Sequence, residues 1–311
     1  GGRMNTDFVD NVGGVDCSDN EVNIKILLNG LVANGDLTIK QRNKLLYDMT
    51  DEVEEIVLKD CYAQTNSISI SESRGVSKLK EHQRFIHNLE RDGKLDRALE
   101  FIPNDEELAE RMVSNRGLTR PELSVLVAYG KMVLKEELVV DSITNDTYLN
   151  GLFVNAFPVQ LQKSYKEQMQ THPLKAEIIA TRLANNLCNY MGANFAVRMR
   201  EETGADVAEI AKCFSIASNI FEMEKTWSEI EALDNKISAD VQIEMLFQLR
   251  RTVRRATRWF LRHRNKSLTI EQSLDFYRPS FEVLTAKLST FLVDAEAKEL
   301  NDIKEKLKKE K

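Results

Sequence analysis

The chain has 311 residues, of which 42% are hydrophobic and 30% charged, and its formal net charge is −6. This length and apolar content suffice for one large core or two smaller ones, and they argue against disorder over most of the chain. An acidic balance does not attract nucleic acid or anionic lipid, so we expect neither as a partner of the chain as a whole.

Other classes of protein are also disfavoured. No run of about 18 apolar residues is present, so the sequence predicts no membrane span, and no basic region followed by an apolar stretch predicts a secretory signal. The four cysteines lie far apart without C-x-x-C spacing, which is typical of a reducing cytoplasm and of a chain without a zinc site. We therefore expect a cytoplasmic location and no metal.

The first element is a polar, glycine-paired stretch, M-N-T-D-F-V-D-N-V-G-G-V-D-C-S-D-N-E-V-N-I-K at 4–25, which predicts a turn. Gly13 and Gly14 have no Cβ and would let a flat ring approach the backbone, and the amide of Asn11 both donates and accepts hydrogen bonds. Ser18 could donate to a carboxylate and also cap a helix beginning near Asp19, whose N-terminus would favour an anion. Taken alone, the pattern is equally that of an ordinary turn and cap.

The rest of the chain reads as helix. Apolar residues recur at helical spacing and only five prolines interrupt the chain, while no alternating pattern predicts a strand. The spacing predicts helices over 21–33, 38–60, 61–91, 104–115, 119–138, 144–157, 158–169, 173–201, 205–225, 226–233, 238–263 and 269–308. Breaks are predicted at 92–93, 203–205, 234–235 and 266–267. The expected class is all-α.

The clearest helix start lies in R-G-L-T-R-P-E-L. Thr119 and Glu122 have the T-x-x-E spacing of a capping box, and Pro121 falls in the first turn, where its missing N–H is tolerated. Gly117 is predicted to end the preceding helix. Further along the chain, Gly192 with Ala193 predicts a close crossing of two helices. Near the start, Thr38 is predicted to be an N-cap.

The opening stretch resembles a known family. Residues 7–21, D-F-V-D-N-V-G-G-V-D-C-S-D-N-E, are similar to the P-D-x-x-x-N-A-G-G-V-x-x-S-x-x-E run that ends the nucleotide-binding domain of glutamate dehydrogenases. The positions in register are Asp7, Asn11, Gly13, Gly14, Val15, Ser18 and Glu21. Thr6, Val12 and Asn20 depart from the usual proline, alanine and histidine. The longer wording, together with N-R-G-L-T-R-P-E-L-x-V-L at 115–126, resembles the large NAD-specific enzymes of bacteria.

The resemblance implies an architecture. Residues 1–20 would be the tail of the NAD-binding catalytic domain, a short remnant of an α/β domain. Residues 21–311 would be a multi-helical C-terminal region, with possible subdivisions near 92–118 and 202–205. The helical part would serve as a scaffold, in oligomer contacts or in regulation, and the parent would be a homo-oligomer.

The resemblance also implies ligands. Asn11, Gly13 and Gly14 would contact NAD, and Val15 and Ser18 would line the pocket of the glutamate side chain. The parent would convert L-glutamate, NAD and water to 2-oxoglutarate, ammonium and NADH. Its base, its lysine and its phosphate-binding glycine loop are not identifiable here, and the sequence has no G-x-G-x-x-G. We therefore predict no catalytic residue in this chain and no activity of the chain alone.

The sharpest charge feature is L-R-R-T-V-R-R-A-T-R-W-F-L-R-H-R-N-K at 249–266. Arg250, Arg254, Arg258 and Arg262 are spaced four residues apart and form one helical stripe. The stripe could bind an anion, such as nucleic acid stacked on Trp259 or an allosteric phosphate or carboxylate. It could instead pair with acidic residues, which number 49 against 43 basic ones, and we favour this second interpretation. The alternative function is a non-enzymatic helical module that binds an anionic partner through Arg250–Arg264.

Overall fold

The computed structural model of the chain describes residues 2–287, 293–294, 298, 301–302 and 305. Every regular element in this described part is helical, which confirms the predicted all-α class. The chain divides into two compact units, Gly1–Ala208 and Glu209–Lys311. Each unit is described by itself below.

The first unit is built from helices of very different lengths. They are α1 Asp7–Asp10, α2 Val12–Ala33, α3 Ile39–Asp48, α4 Thr50–Ser73, α5 Leu79–Arg91, α6 Asp105–Val113, α7 Arg120–Leu138, α8 Asp141–Thr144, α9 Asn150–Val154, α10 Val159–Ser164, α11 Lys166–Met169, α12 Lys175–Asn186 and α13 Phe195–Thr203. A 3₁₀ turn, Gly75–Lys78, precedes α5, and a π-helical turn, Leu187–Met191, extends α12. Residues 144–169 hold only short helices, where two longer ones were predicted.

The long central helix α4 differs from the two helices predicted over 38–60 and 61–91, because it spans the boundary between them. It begins after Met49, which is buried, and continues through a serine-rich segment to Ser73. The hydroxyls of Ser69 and Ser71 donate to the carbonyl oxygens four residues earlier, at 3.1 and 2.9 Å. Because these side chains bond back to their own helix, residues of modest helix propensity are accommodated in it.

The core of the first unit surrounds α4 and α7. Helix α4 packs against α2, α7 and the π-helical turn, and α12 packs along α7. The buried hydroxyl of Ser67 donates to the carbonyl of Cys188 at 2.8 Å, which ties α4 to the π-helical turn. A Cβ on Gly130 would lie 3.1 Å from the carbonyl oxygen of Ala193. A close approach is therefore present at Ala193, as predicted, but it joins α7 to the turn before α13 and is not a crossing of two helices.

The remaining described helices are α14 Val207–Ile220, α15 Met223–Glu231, α16 Ala239–His263 and α17 Ile270–Ala286. Helix α15 packs against α16, whose bounds agree with the predicted 238–263. After α16, the guanidinium of Arg264 donates to Glu209 at 2.7 Å and to the carbonyl of Leu268 at 2.7 Å. The predicted helix 269–308 is confirmed as far as Ala286, and most of its remainder lies outside the described residues.

Candidate functional site

The glycine motif near the N-terminus is helical, which corrects the predicted turn. Gly13 and Gly14 lie in the first turn of α2, and Ser18 lies inside this helix and not at its N-cap. The helix begins at Val12 and not near Asp19. Glycine disfavours a helix by about 1 kcal/mol relative to alanine, but packing of one face of α2 on α4 outweighs this preference.

Four of the predicted site residues lie on one face, which is formed by α2 and by the residue that precedes it. They are Asn11, Gly14, Val15 and Ser18, and all are exposed. Their spacing of three, four and seven residues places them above one another on a helix. Gly13 faces the opposite way, since a Cβ there would lie 3.8 Å from Val57 Cγ1 and 3.9 Å from Cys61 Sγ of α4.

The exposed face suits a flat, partly apolar molecule. A Cβ on Gly14 would meet no described atom within 4 Å, so a ring can approach the backbone closely there. Val15 is 65% exposed, and Phe8 and Val22 are about half exposed on the neighbouring turns. The amide of Asn11 is available at one end of the face and the hydroxyl of Ser18 at the other. These residues fit the nicotinamide group that the resemblance implies.

Behind this face lies a carboxyl group with an unusual environment. Asp16 is half-buried, and its Oδ2 atom is buried without a hydrogen bond from any residue in the described part of the chain. Its Oδ1 atom accepts only a long contact of 3.4 Å from Asn20. Burial, together with the nearby carboxylate of Asp60, raises the pKa of Asp16 to about 6. Asp16 can therefore hold a proton close to neutral pH.

Charged side chains from three further helices surround Asp16. Arg182 of α12 donates to Asp60 of α4 at 2.5 Å, and Lys131 of α7 donates to Gln64 of α4 at 2.5 Å. Burial lowers the pKa of the Lys131 ammonium group. A cleft of about 200 Å³ opens beside Asp16, Asp60 and Arg182. These hydrogen bonds join α4 to α7 and α12, and Asp16 of α2 lies beside them.

Sequence reasoning missed this cluster, because its members lie on four separate helices. One signal was available. Lys131 interrupts the apolar run V-L-V-A-Y-G-K-M-V-L of α7, and a charged residue on a helix face that is otherwise apolar indicates a buried polar partner.

A second polar network holds the loop before the motif. Arg120, the first residue of α7, donates through Nε to Asn5 at 3.0 Å. Its Nη1 donates to Ser69 at 3.0 Å and to Glu72 at 2.9 Å, both near the end of α4. Asn5 in turn donates to the carboxylate of Asp10 through its side-chain amide at 2.6 Å and its backbone N–H at 3.1 Å. Sequence reasoning did not assign a role to Arg120.

The R-G-L-T-R-P-E-L segment around Arg120 has the predicted capping box, with the N–H of Thr119 donating to Glu122 at 2.7 Å. The predicted role of Gly117 was wrong. Asn115, with φ of 54°, is the left-handed residue after α6. Gly117 instead packs on backbone, because a Cβ there would lie 2.7 Å from Gly75 Cα.

The arginine stripe lies on α16 in the second unit. Arg250 is buried, Arg254 and Arg258 are half-buried, and Arg262 is exposed. Each of the four already takes part in an interaction within the protein, so none is a free cation. Beside them, the exposed indole of Trp259 stacks on the imidazole of His263 with ring centroids 4.9 Å apart. The stripe is therefore engaged in the fold, and no bound anion is needed to account for it.

Two further features bear on the kind of site. In the described part of the chain, no group of three or more His, Cys, Asp or Glu side chains is arranged to hold a metal ion. Each described helix is too short or too polar to cross a bilayer.

Comparison with known proteins identifies the family. A family model for the catalytic domain of bacterial NAD-glutamate dehydrogenase matches residues 1–71, and the model for the C-terminal part of glutamate dehydrogenase matches residues 115–311. The NAD-specific glutamate dehydrogenase of Halomonas elongata is 48% identical over 279 residues, which is 90% of this chain. The enzymes of the same name from Pseudomonas aeruginosa and Mycobacterium tuberculosis are 46% and 33% identical, each over 94% of this chain.

The chain spans only 17–18% of the length of these curated relatives. It matches their catalytic-domain model at its start and their C-terminal model over more than half of its length. Both matches agree with the opening motif and with N-R-G-L-T-R-P-E-L. The chain therefore belongs to the family of bacterial NAD-specific glutamate dehydrogenases.

Proposed function

We propose that this chain forms the end of the catalytic domain and the helical C-terminal region of an NAD-dependent glutamate dehydrogenase. The whole enzyme would convert L-glutamate, NAD and water to 2-oxoglutarate, ammonium and NADH. The observation that carries the proposal is the open face of Asn11, Gly14, Val15 and Ser18, which lies within the segment matched by the catalytic-domain model.

Each residue of this face has a proposed role. Asn11 holds the carboxamide of the nicotinamide through its own amide, and Gly14 allows the ring to approach the helix backbone. Gly13 contributes from behind, because its missing side chain lets α2 pack against α4. Val15 contacts the methylene groups of glutamate, and Ser18 donates to its side-chain carboxylate. NAD, when bound, accepts the hydride that leaves the substrate.

The helical region would brace this face, because α2 packs on α4 and α4 packs in turn on α7. We also propose that the enzyme is a homo-oligomer in a reducing cytoplasm. Exposed apolar side chains on α17, those of Phe276, Val283 and Leu284, favour contacts with another surface. The four cysteines are all free thiols, as expected in a reducing compartment.

Two glycines of the same helix test the cofactor face in the full-length enzyme. Gly14 and Gly30 both lie in α2, and a Cβ on either would meet no described atom within 4 Å. Either change to alanine should raise stability, by about 0.5–1 kcal/mol. Only Gly14→Ala should lower kcat/KM for NAD, by about tenfold, since a new methyl group would separate the ring from the backbone. Equal kinetics for the two variants would refute the assigned face.

The chain alone provides a complementary test. It carries the proposed binding face without the base, the lysine or the glycine loop that the reaction requires. We therefore expect no NADH when the purified 311-residue chain is mixed with NAD and glutamate. Formation of NADH above background would contradict the assignment of the catalytic groups to another part of the enzyme.

A further inference from the structure

Arg120 connects the segment matched by the C-terminal model to the segment matched by the catalytic-domain model through hydrogen bonds. It lies in the segment matched by the C-terminal model, whereas its partner Asn5 lies in the segment matched by the catalytic-domain model. Asn5 holds Asp10 through two hydrogen bonds, and Asp10 directly precedes Asn11. The hydrogen bonds therefore lead from the start of α7 to the residue proposed to hold the nicotinamide.

Two members of the network, Asn5 and Arg120, are well shielded from water, whereas Asp10 is exposed. Asn5 is 8% exposed, and the side chain of Arg120 is 13% exposed. Hydrogen bonds from a guanidinium are stronger than those between neutral groups, and low local polarity strengthens them further. The interaction can therefore add to the support of this loop, whose single-turn helix α1 is anchored in the core by Val9.

Arg120 itself is held in place on both sides. The capping box of Thr119 and Glu122 fixes the first turn of α7, and Arg111 grips Glu122 through two hydrogen bonds of 2.6 and 2.8 Å. The contact between Gly117 and the backbone of Gly75 leaves no space for the segment to shift inward. The start of α7 is thus a rigid base, against which the loop carrying Asn5 is positioned.

We propose that Arg120 is a positioning residue for the cofactor site. Through Asn5 and Asp10 it sets the orientation of Asn11, and so the helical C-terminal region controls how well the enzyme binds NAD. The forked guanidinium is required for this network, because its Nε donates to Asn5 while its Nη1 donates to Ser69 and Glu72. A lysine has one nitrogen and cannot reproduce this geometry. The inference rests on the proposed function.

The test uses the full-length enzyme with Arg120→Lys, Asn5→Ala and the double variant. We expect Arg120→Lys to raise KM for NAD about tenfold, the loss of one charged hydrogen bond, with KM for glutamate changed less. Arg198→Lys is the control. It breaks another half-buried arginine–carboxylate pair of the same unit, in which Arg198 donates to Glu81 at 2.9 Å and to Glu202 at 2.7 Å, outside the network of Arg120. It should therefore lower the melting temperature and leave KM for NAD within about twofold.

The double variant separates positioning from general loss of stability. If the two residues act in one network, Asn5→Ala with Arg120→Lys should raise KM for NAD no more than the stronger single change. Multiplicative effects, or an equal rise of KM for NAD in Arg198→Lys, would overturn the inference. Asn5→Ala leaves α7 intact, so it tests the same link if Arg120→Lys does not fold. A wild-type enzyme without glutamate-dependent NAD reduction would instead overturn the proposed function, and the inference with it.

Discussion

The raised pKa of the half-buried Asp16 carboxyl group predicts that the variant Asp16→Asn is more stable than the wild-type chain at neutral pH. Ionised Asp16 places a second negative charge close to Asp60 in a half-buried site, and its Oδ2 atom has no hydrogen bond from the described residues. Asp16→Asn keeps the shape of the side chain and removes the charge.

The pKa of Asp16 sets the size and sign of this effect. A rise from the ordinary value of 3.8 to about 6 corresponds to at most about 3 kcal/mol. Because the group is only half-buried, screening by solvent reduces this to roughly 1 kcal/mol. The folded-state pKa is raised, so the stabilisation from protonated Asp16 is complete below pH 3.8 and is lost as the pH rises through about 6.

Urea unfolding of the wild-type chain and of Asp16→Asn at several pH values measures this effect directly. The variant should be more stable at pH 7.5 by about 1 kcal/mol, and the difference should fall by more than half at pH 4.5. Asp36→Asn is the control, because Asp36 is an exposed carboxylate just beyond the same helix and does not influence the pKa of Asp16. A difference between Asp16→Asn and wild type that is the same at both pH values would refute the reasoning.

Two further predictions concern packing and the arginine stripe. Gly130→Ala should lower the free energy of unfolding by about 1–3 kcal/mol, because the new methyl group would lie 3.1 Å from the backbone carbonyl oxygen of Ala193. Urea unfolding measures this change, and unchanged stability would contradict the close approach of α7 to Ala193. Changing Arg254 and Arg258 together to glutamine should lower the melting temperature, because both already interact within the fold. A change in the electrophoretic mobility of DNA or RNA caused by the wild-type chain at low salt, and lost in this variant, is the result that would support the anion-binding alternative.

The local sequence determined where many helices begin and end. The N-cap at Thr38 and the capping box at Thr119 were predicted from the sequence and are present. The breaks at 92–93, 203–205 and 234–235 were also predicted, and Gly93, Gly204 and Asn235 have positive φ angles there. These features depend on hydrogen bonds and backbone preferences within a few residues, so the order of residues is sufficient to specify them.

The sequence motifs at 7–21 and 115–126 also indicated the family, and the first of them led to the proposed contacts for NAD and glutamate in residues 11–18. It did not determine the conformation of that motif. Glycine and serine favour turns in isolation, and only the packing of α2 on α4 makes the segment helical and turns Gly13 away from the open face.

Tertiary structure alone decided which charged residues meet. Asp16 lies 166 residues before Arg182, and Asn5 lies 115 residues before Arg120, so no local spacing relates the members of either network. Apart from Lys131, whose place in an apolar run indicates a buried partner, each side chain is compatible by sequence with an ordinary solvated surface. Burial between helices strengthens the electrostatic interactions of these side chains and raises the pKa of Asp16. It also strengthens the hydrogen bonds that hold the loop before Asn11. Both effects depend on low local polarity and on distances that only the fold sets.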